Sequence, residues 1–148
     1  MAENEDEEID LVATWLSECN AGGVNPGEIG VFVRSEAELA RAERALQTAG
    51  LPYVLLDEEM QLTSDAVSVS TMHLAKGLEF RAIAVMACDD EVIPDQDRIE
   101  AVADEAELEE VYNTERQLLY VACTRARDRL LVTGVEPGSE FLEDLEQV

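Results

Sequence analysis

Apolar positions along the chain recur at two periods, and the alternation between them lays out an order of helices and strands. Ile9, Val12, Ala13 and Leu16 fall on one face of a helix. The Gly- and Pro-rich stretch Ala21–Glu28 stops that helix. The run Ile29–Val33 is continuously apolar and short, as in a buried strand. Ser35 with Glu38 three residues on predicts a capping box, followed by a helix that carries Leu39, Ala42, Leu46 and Ala49 on one face. Gly50 supplies its stop, and Tyr53–Leu56 reads as the next strand.

Residues Asp57–Ala66 show no clear element. Val67–Met72 alternates as a strand does, and Ala82–Cys88 is apolar throughout, the mark of a strand covered on both faces. Asp89–Glu110 is an acidic loop running into helical sequence. Thr114 with Gln117 predicts a second capping box, and so a helix through Ala126. Arg129–Gly134 predicts a last strand and Ser139–Leu145 a short terminal helix. Strands alternating with helices, several of them apolar on both faces, predict an α/β chain with a mainly parallel sheet between two layers of helices. Residues 1–8 read as an acidic, flexible, solvated tail, and residues 9–148 as a single domain.

Composition narrows the classes of partner. The chain has 148 residues, 47% of them apolar, enough for one sizeable core. Its 34 Asp and Glu against 10 Lys and Arg leave a formal net charge of −24. Such a balance opposes non-specific attraction to nucleic acid or to an anionic membrane. A solvated, soluble surface, as in a salt-rich cytoplasm, accounts for the acidity most simply. Cys19, Cys88 and Cys123 have no metal-ligand spacing, so buried reduced thiols are expected. No apolar run reaches transmembrane length, and the acidic start is unlike a signal peptide. The expected location is cytoplasmic, without a membrane partner.

Several chemistries are excluded by what the sequence lacks. It has no phosphate-cradling G-x-x-x-x-G-K-[ST] loop, no dinucleotide fingerprint and no nucleophile elbow. With one His and no ligand spacing, no metal site is expected. Two stretches remain. Ser70–Phe80, STMHLAKGLEF, holds the only His, His73, and the only Lys, Lys76. A strand ending at Thr71–His73 and turning through Lys76–Gly77 predicts polar groups at the carboxyl end of a parallel sheet, where such sheets bind ligands. Gly77 permits a tight turn, Glu79 could accept from a sugar hydroxyl, and Thr71 and His73 could meet a phosphate or base. An ordinary turn with a solvated His and Lys is the plainer account of the same residues.

Thr114–Leu130 carries Arg116, Arg125, Arg127 and Arg129. Positive charge near a helix C-terminus is accounted for by the helix dipole alone. A guanidinium that reaches a phosphate is the functional alternative. On a helix, Arg125 and Arg127 could not share a face. Arg34 ends the first predicted strand and reads as a surface Arg beside a helix cap, with the same crevice as the alternative.

Taken together and in this order, VSVSTMHLAKGLEF closely resembles motif V of the UvrD/Rep-like superfamily 1 helicases, and TERQLLYVACTRARDRL their motif VI. The stretch Ile29–Leu56 is similar to the strand–helix–strand that opens the same domain, so the resemblance covers roughly residues 28–135. It implies a RecA-like fold and the second of two motor domains of an ATP-dependent DNA helicase or translocase. By matched position, it implies that Arg125 is an arginine finger aimed at the γ-phosphate. Glu79 would contact the nucleotide ribose beside the Gly77 turn, and Thr71 and His73 would lie near the DNA strand. ATP with Mg would bind between this domain and a first RecA-like domain of the same parent chain, with single-stranded DNA across the top. Many relatives insert an accessory domain where only Asp57–Ala66 stands here. Lacking a phosphate loop, the isolated domain is expected to hydrolyse no ATP. The alternative is a helicase-derived module that binds a basic protein without motor chemistry, although such a module has no physical need for an intact AKGLE or TRA.

Overall fold

The computed structural model describes residues 2–56 and 65–142. Five strands form one parallel sheet: β1 (Ile29–Val33), β2 (Tyr53–Leu55), β3 (Val67–Thr71), β4 (Phe80–Val85) and β5 (Ala126–Val132). Their order across the sheet is β2-β3-β1-β4-β5. From β1 the chain leaves toward β2 on one side, and from β4 it leaves toward β5 on the other. The carboxyl ends of β1 and β4 therefore flank a topological switch point, the usual place for a crevice in an open parallel sheet.

Helices α1 (Glu5–Ala21) and α2 (Leu39–Ala49) cover one face. Ile9, Val12 and Leu16 of α1 and Ala42, Ala45 and Leu46 of α2 pack there on Val31, Val67, Val69 and Ala84. The opposite face is covered by α4 (Glu105–Thr124) and by the crossover Met72–Glu79, with the short helix α3 (Gln96–Glu100) beside α4. Leu119, Ala122 and Cys123 pack there with Met72, Ala75 and Leu78 against Phe32, Ile83 and Val85. β1 is buried throughout because both layers cover it. All three cysteines are buried free thiols. Burial pushes the Cys123 thiol up to about 11 and the Cys88 thiol well above its ordinary value.

Several boundaries differ from the sequence reading. Residues 5–8 are helical, not a tail: the Asn4 side chain accepts from Glu7 N–H at 2.8 Å and caps α1, and four acidic residues fill its first turn. Glu8 is fully buried, and Ala2 forms a parallel bridge to Val135. Ser35 makes no capping hydrogen bond. A 3₁₀ turn, Glu36–Glu38, precedes α2, and Glu38 pairs with Arg41 at 3.3 Å. Gly50 ends α2 in the left-handed region at φ 73°, as expected.

α4 starts nine residues before Thr114, at Glu105, capped by the Asp104 side chain. The Thr114 hydroxyl donates to Glu110 O in mid-helix, so it caps nothing. α4 also ends at Thr124, and β5 begins at Ala126, so Arg127 and Arg129 lie on a strand. Of the expected terminal helix over 139–145, residues 143–145 lie outside the described residues.

Candidate functional site

A cleft of about 590 Å³ opens at the switch point. Thr71 and His73 line it from the end of β3, Arg34 from the end of β1, and Asp95 from the loop after β4. Thr71 lies in register with Val33, which brings Arg34 beside it. The rim carries Glu36, Glu38, Glu91 and Asp97, so it repels anions.

Arg34 is not the surface residue that its sequence position suggested. It is 4% exposed and forms a bidentate pair with Glu115 of α4. Arg34 Nε donates to Glu115 Oε1 at 2.8 Å, and Nη2 to Oε2 at 2.7 Å. Glu115, fully buried, also accepts from Asp95 N–H at 2.7 Å and Arg98 Nη1 at 2.8 Å. Burial alone would raise its carboxyl. The bonds from Arg34 and Asp95, with the charges of Arg34 and Arg98, outweigh that and hold it below the ordinary glutamate value. His73 is also held low, first by partial desolvation, then by repulsion from Arg34 and Arg98 against the pull of Glu115.

A measurable pH dependence follows. A carboxylate whose folded pKa is depressed adds stability that is fully present above its ordinary value of 4.5. That contribution is lost as the pH falls through the folded value. The contribution of Glu115 to the melting temperature should therefore be lost on acidification below about 4.5, and Glu115→Gln should lack that part of the parent's pH profile. Identical pH profiles for the two proteins would contradict the assignment.

A matching buried pair sits on the other face at the same edge. Glu8 Oε1 accepts from Arg41 Nη1, while Oε2 accepts from Ala87 N–H and the Thr133 hydroxyl, each at 2.9 Å. This holds Ala87, the residue with φ 58°, at the start of the loop after β4. Sequence reading missed both Glu8 and Glu115. The available signal was a charge on an apolar helical face: Glu8 aligns with Val12, and Glu115 with Leu119 and Ala122.

Gly77, Glu79 and Arg125 gather at the opposite, amino edge. The expectation that Gly77 and Glu79 share the carboxyl end with Thr71 and His73 fails, because Met72–Glu79 crosses the whole sheet face between β3 and β4. Met72, Ala75 and Leu78 bury at a spacing of three and hold this crossover down. Gly77 turns it at φ 86°, a conformation that disfavours any side chain. Phe80 N–H donates to Arg125 O at 3.0 Å, joining the start of β4 to the end of α4.

Arg125 caps α4. Its Nη2 lies 3.3 Å from the Thr124 hydroxyl, and its Nε is buried without a hydrogen-bond partner. Glu79 is exposed and lies 3.6 Å from Arg127 Nε, a surface pair that holds neither side chain firmly. A guanidinium N–H without an acceptor is suited to an anionic ligand. Among the described residues, no cluster of His, Cys, Asp or Glu is arranged to hold a metal, and no helix is long and apolar enough to cross a membrane.

Five parallel strands between helical layers, with polar groups split between the two edges, define a RecA-like α/β domain. A family model described as the UvrD-like helicase C-terminal domain matches residues 55–136, and the chain belongs to that family. The ATP-dependent DNA helicase PcrA of Bacillus subtilis is 38% identical over 84 residues, 57% of this chain and 10% of that protein. UvrD1 of Mycobacterium leprae is 38% identical over 100 residues, 60% of this chain and 12% of that protein. The chain thus spans about a tenth of the length of these curated relatives. The crystal structure of the C-terminal domain of a possible DNA helicase from Lactobacillus plantarum WCFS1 superposes with a TM-score of 0.70. It is 28% identical and covers 95% of this chain and 74% of that one.

Proposed function

We propose that this chain is the second motor domain of an ATP-dependent DNA helicase or translocase in the cytoplasm. It supplies an arginine finger and part of the contacts to nucleotide and single-stranded DNA. The observation that carries this reading is the Arg125 guanidinium, whose buried Nε lacks an acceptor, on the residue whose carbonyl accepts from Phe80 N–H, the neighbour of Glu79 in sequence. Arg125 stabilises charge that develops on the γ-phosphate during attack by water. Glu79 accepts from the ribose. ATP with Mg provides the phosphoanhydride, held between this domain and a first RecA-like domain of the same parent chain.

At the carboxyl edge, Thr71 and His73 contact the single strand. The acidic rim disfavours many phosphate contacts, so binding is weak and its salt slope shallow. The two ligands lie at opposite edges, and the Met72–Glu79 crossover spans the distance between them. Only 11 residues of sequence, 56–66, separate β2 from β3, where many relatives carry an accessory domain.

The test is the ATPase of the chain alone and joined to a first motor domain. Alone it should hydrolyse no ATP, since it has no phosphate loop. Joined, it should turn over ATP faster when single-stranded DNA is added. Hydrolysis by the isolated chain, or an assembled motor indifferent to this domain, would reject the reading in favour of an interaction module.

A further inference from the structure

We propose that Glu115 is a positioning residue that transmits occupancy of the carboxyl-edge cleft to Arg125 through α4. The proposal rests on the two-edge reading above. Glu115 touches neither proposed ligand. Its carboxylate gathers the end of β1 through Arg34, the loop after β4 through Asp95 N–H, and the end of α3 through Arg98. Arg34 and Asp95 both line the cleft.

Arg125 lies ten residues further along, about 15 Å at the rise of an α-helix. Between them, Leu119, Ala122 and Cys123 pack α4 onto the sheet and the crossover, so its two ends move together.

Two arrangements of the hub are available. In one, Arg34 binds Glu115 through two nitrogens, as observed. In the other, a DNA acceptor in the cleft competes for the Arg34 N–H groups. Glu115 is then left with Arg98 and Asp95 N–H. Arg98 already donates to Glu115 Oε2 at 2.8 Å, and its side chain, 39% exposed, can follow the carboxylate when Arg34 turns to the acceptor in the cleft. Loss of one of its two cations shifts the pull on the buried carboxylate toward Arg98, so Glu115 follows and carries α4 with it. Both proposed sites bias this one packed element, which is the physical requirement for coupling.

The test uses NMR on the 148-residue chain. His73 is the only imidazole, so its ring signals report cleft occupancy without assignment ambiguity. The Arg125 Nε–H reports the other edge. A single-stranded oligothymidylate is titrated to saturation. Both signals should shift in the parent sequence. In Glu115→Gln, His73 should still shift while the Arg125 response is lost. An Arg125 response unchanged in Glu115→Gln overturns the proposal. So does a His73 shift with a silent Arg125 in the parent sequence, and that result leaves the DNA-side reading intact. A silent His73 rejects the DNA-side reading itself. If Glu115→Gln does not fold, Arg98→Ala serves, because it leaves the Arg34–Glu115 pair in place and removes the second cation on the carboxylate. It should keep the His73 shift and weaken the Arg125 response, and an undiminished Arg125 response counts against the hub.

Discussion

Replacing Arg125 by alanine in the assembled motor should lower ATP turnover by roughly 10³–10⁵-fold, the range over which arginine fingers act. That loss corresponds to about 4–7 kcal/mol of transition-state stabilisation. The position explains why one side chain can matter so much. The guanidinium already sits in a partly desolvated place, where a charge interaction is stronger than in water, and its Nε has no competing acceptor. Its single hydrogen bond to Thr124 contributes little to the fold, so truncation should remove function without unfolding α4. Arg125→Lys should recover only a small part of the activity, because an ammonium lacks the planar fork. Arg127→Ala is the matched control. It removes an exposed cation two residues away whose ion pair to Glu79 lies at the surface, and turnover should change little. Near-normal turnover in Arg125→Ala would sink the finger assignment.

The sequence made the elements of this domain legible where the signal is local. Ile29–Val33 and the helix ended by Gly50 announce themselves through burial pattern and turn chemistry. The start of α4 was hidden, because its first turns, from Glu105 to Glu110, are largely acidic and resemble solvated loop. Its end was placed two residues late, at Ala126, because Arg125–Arg129 carries no stop residue. The candidate residues themselves could be named from motif order. What could not be read was their division between two edges. That division follows from parallel pairing of β3, β1 and β4, which forces the intervening eight residues across the sheet. Buried ion pairs were the least legible feature. Arg34 and Glu115 are 81 residues apart, and Glu8 and Arg41 are 33 apart. Nothing in either local sequence names the partner.

Raising sodium chloride from about 0.05 M to about 2 M should raise the melting temperature by roughly 10 °C or more, as screening falls to within ~3 Å. Arg34, Arg41, Arg44, Arg81 and Arg98 already stand against carboxylates, so the cations that could offset the acidic surface are largely committed. The remaining imbalance is the formal charge of −24. Two like charges ~10 Å apart repel by about 0.4 kcal/mol even in water, and a chain this acidic holds many such pairs. Compaction brings them closer, so repulsion opposes folding, and salt relieves it. The buried hubs at Glu8 and Glu115 should respond least, since salt screens desolvated pairs poorly. Sucrose separates screening from exclusion effects, because it favours compact states without carrying charge. A second control removes a single charge: Glu109→Gln, on the exposed face of α4, should raise the melting temperature at low salt and leave it unchanged at high salt. A melting temperature that is flat or falling with salt would mean that the acidic surface is tolerated at no cost. Charge repulsion would then not limit stability, and the five committed arginines would be doing more than pairing locally.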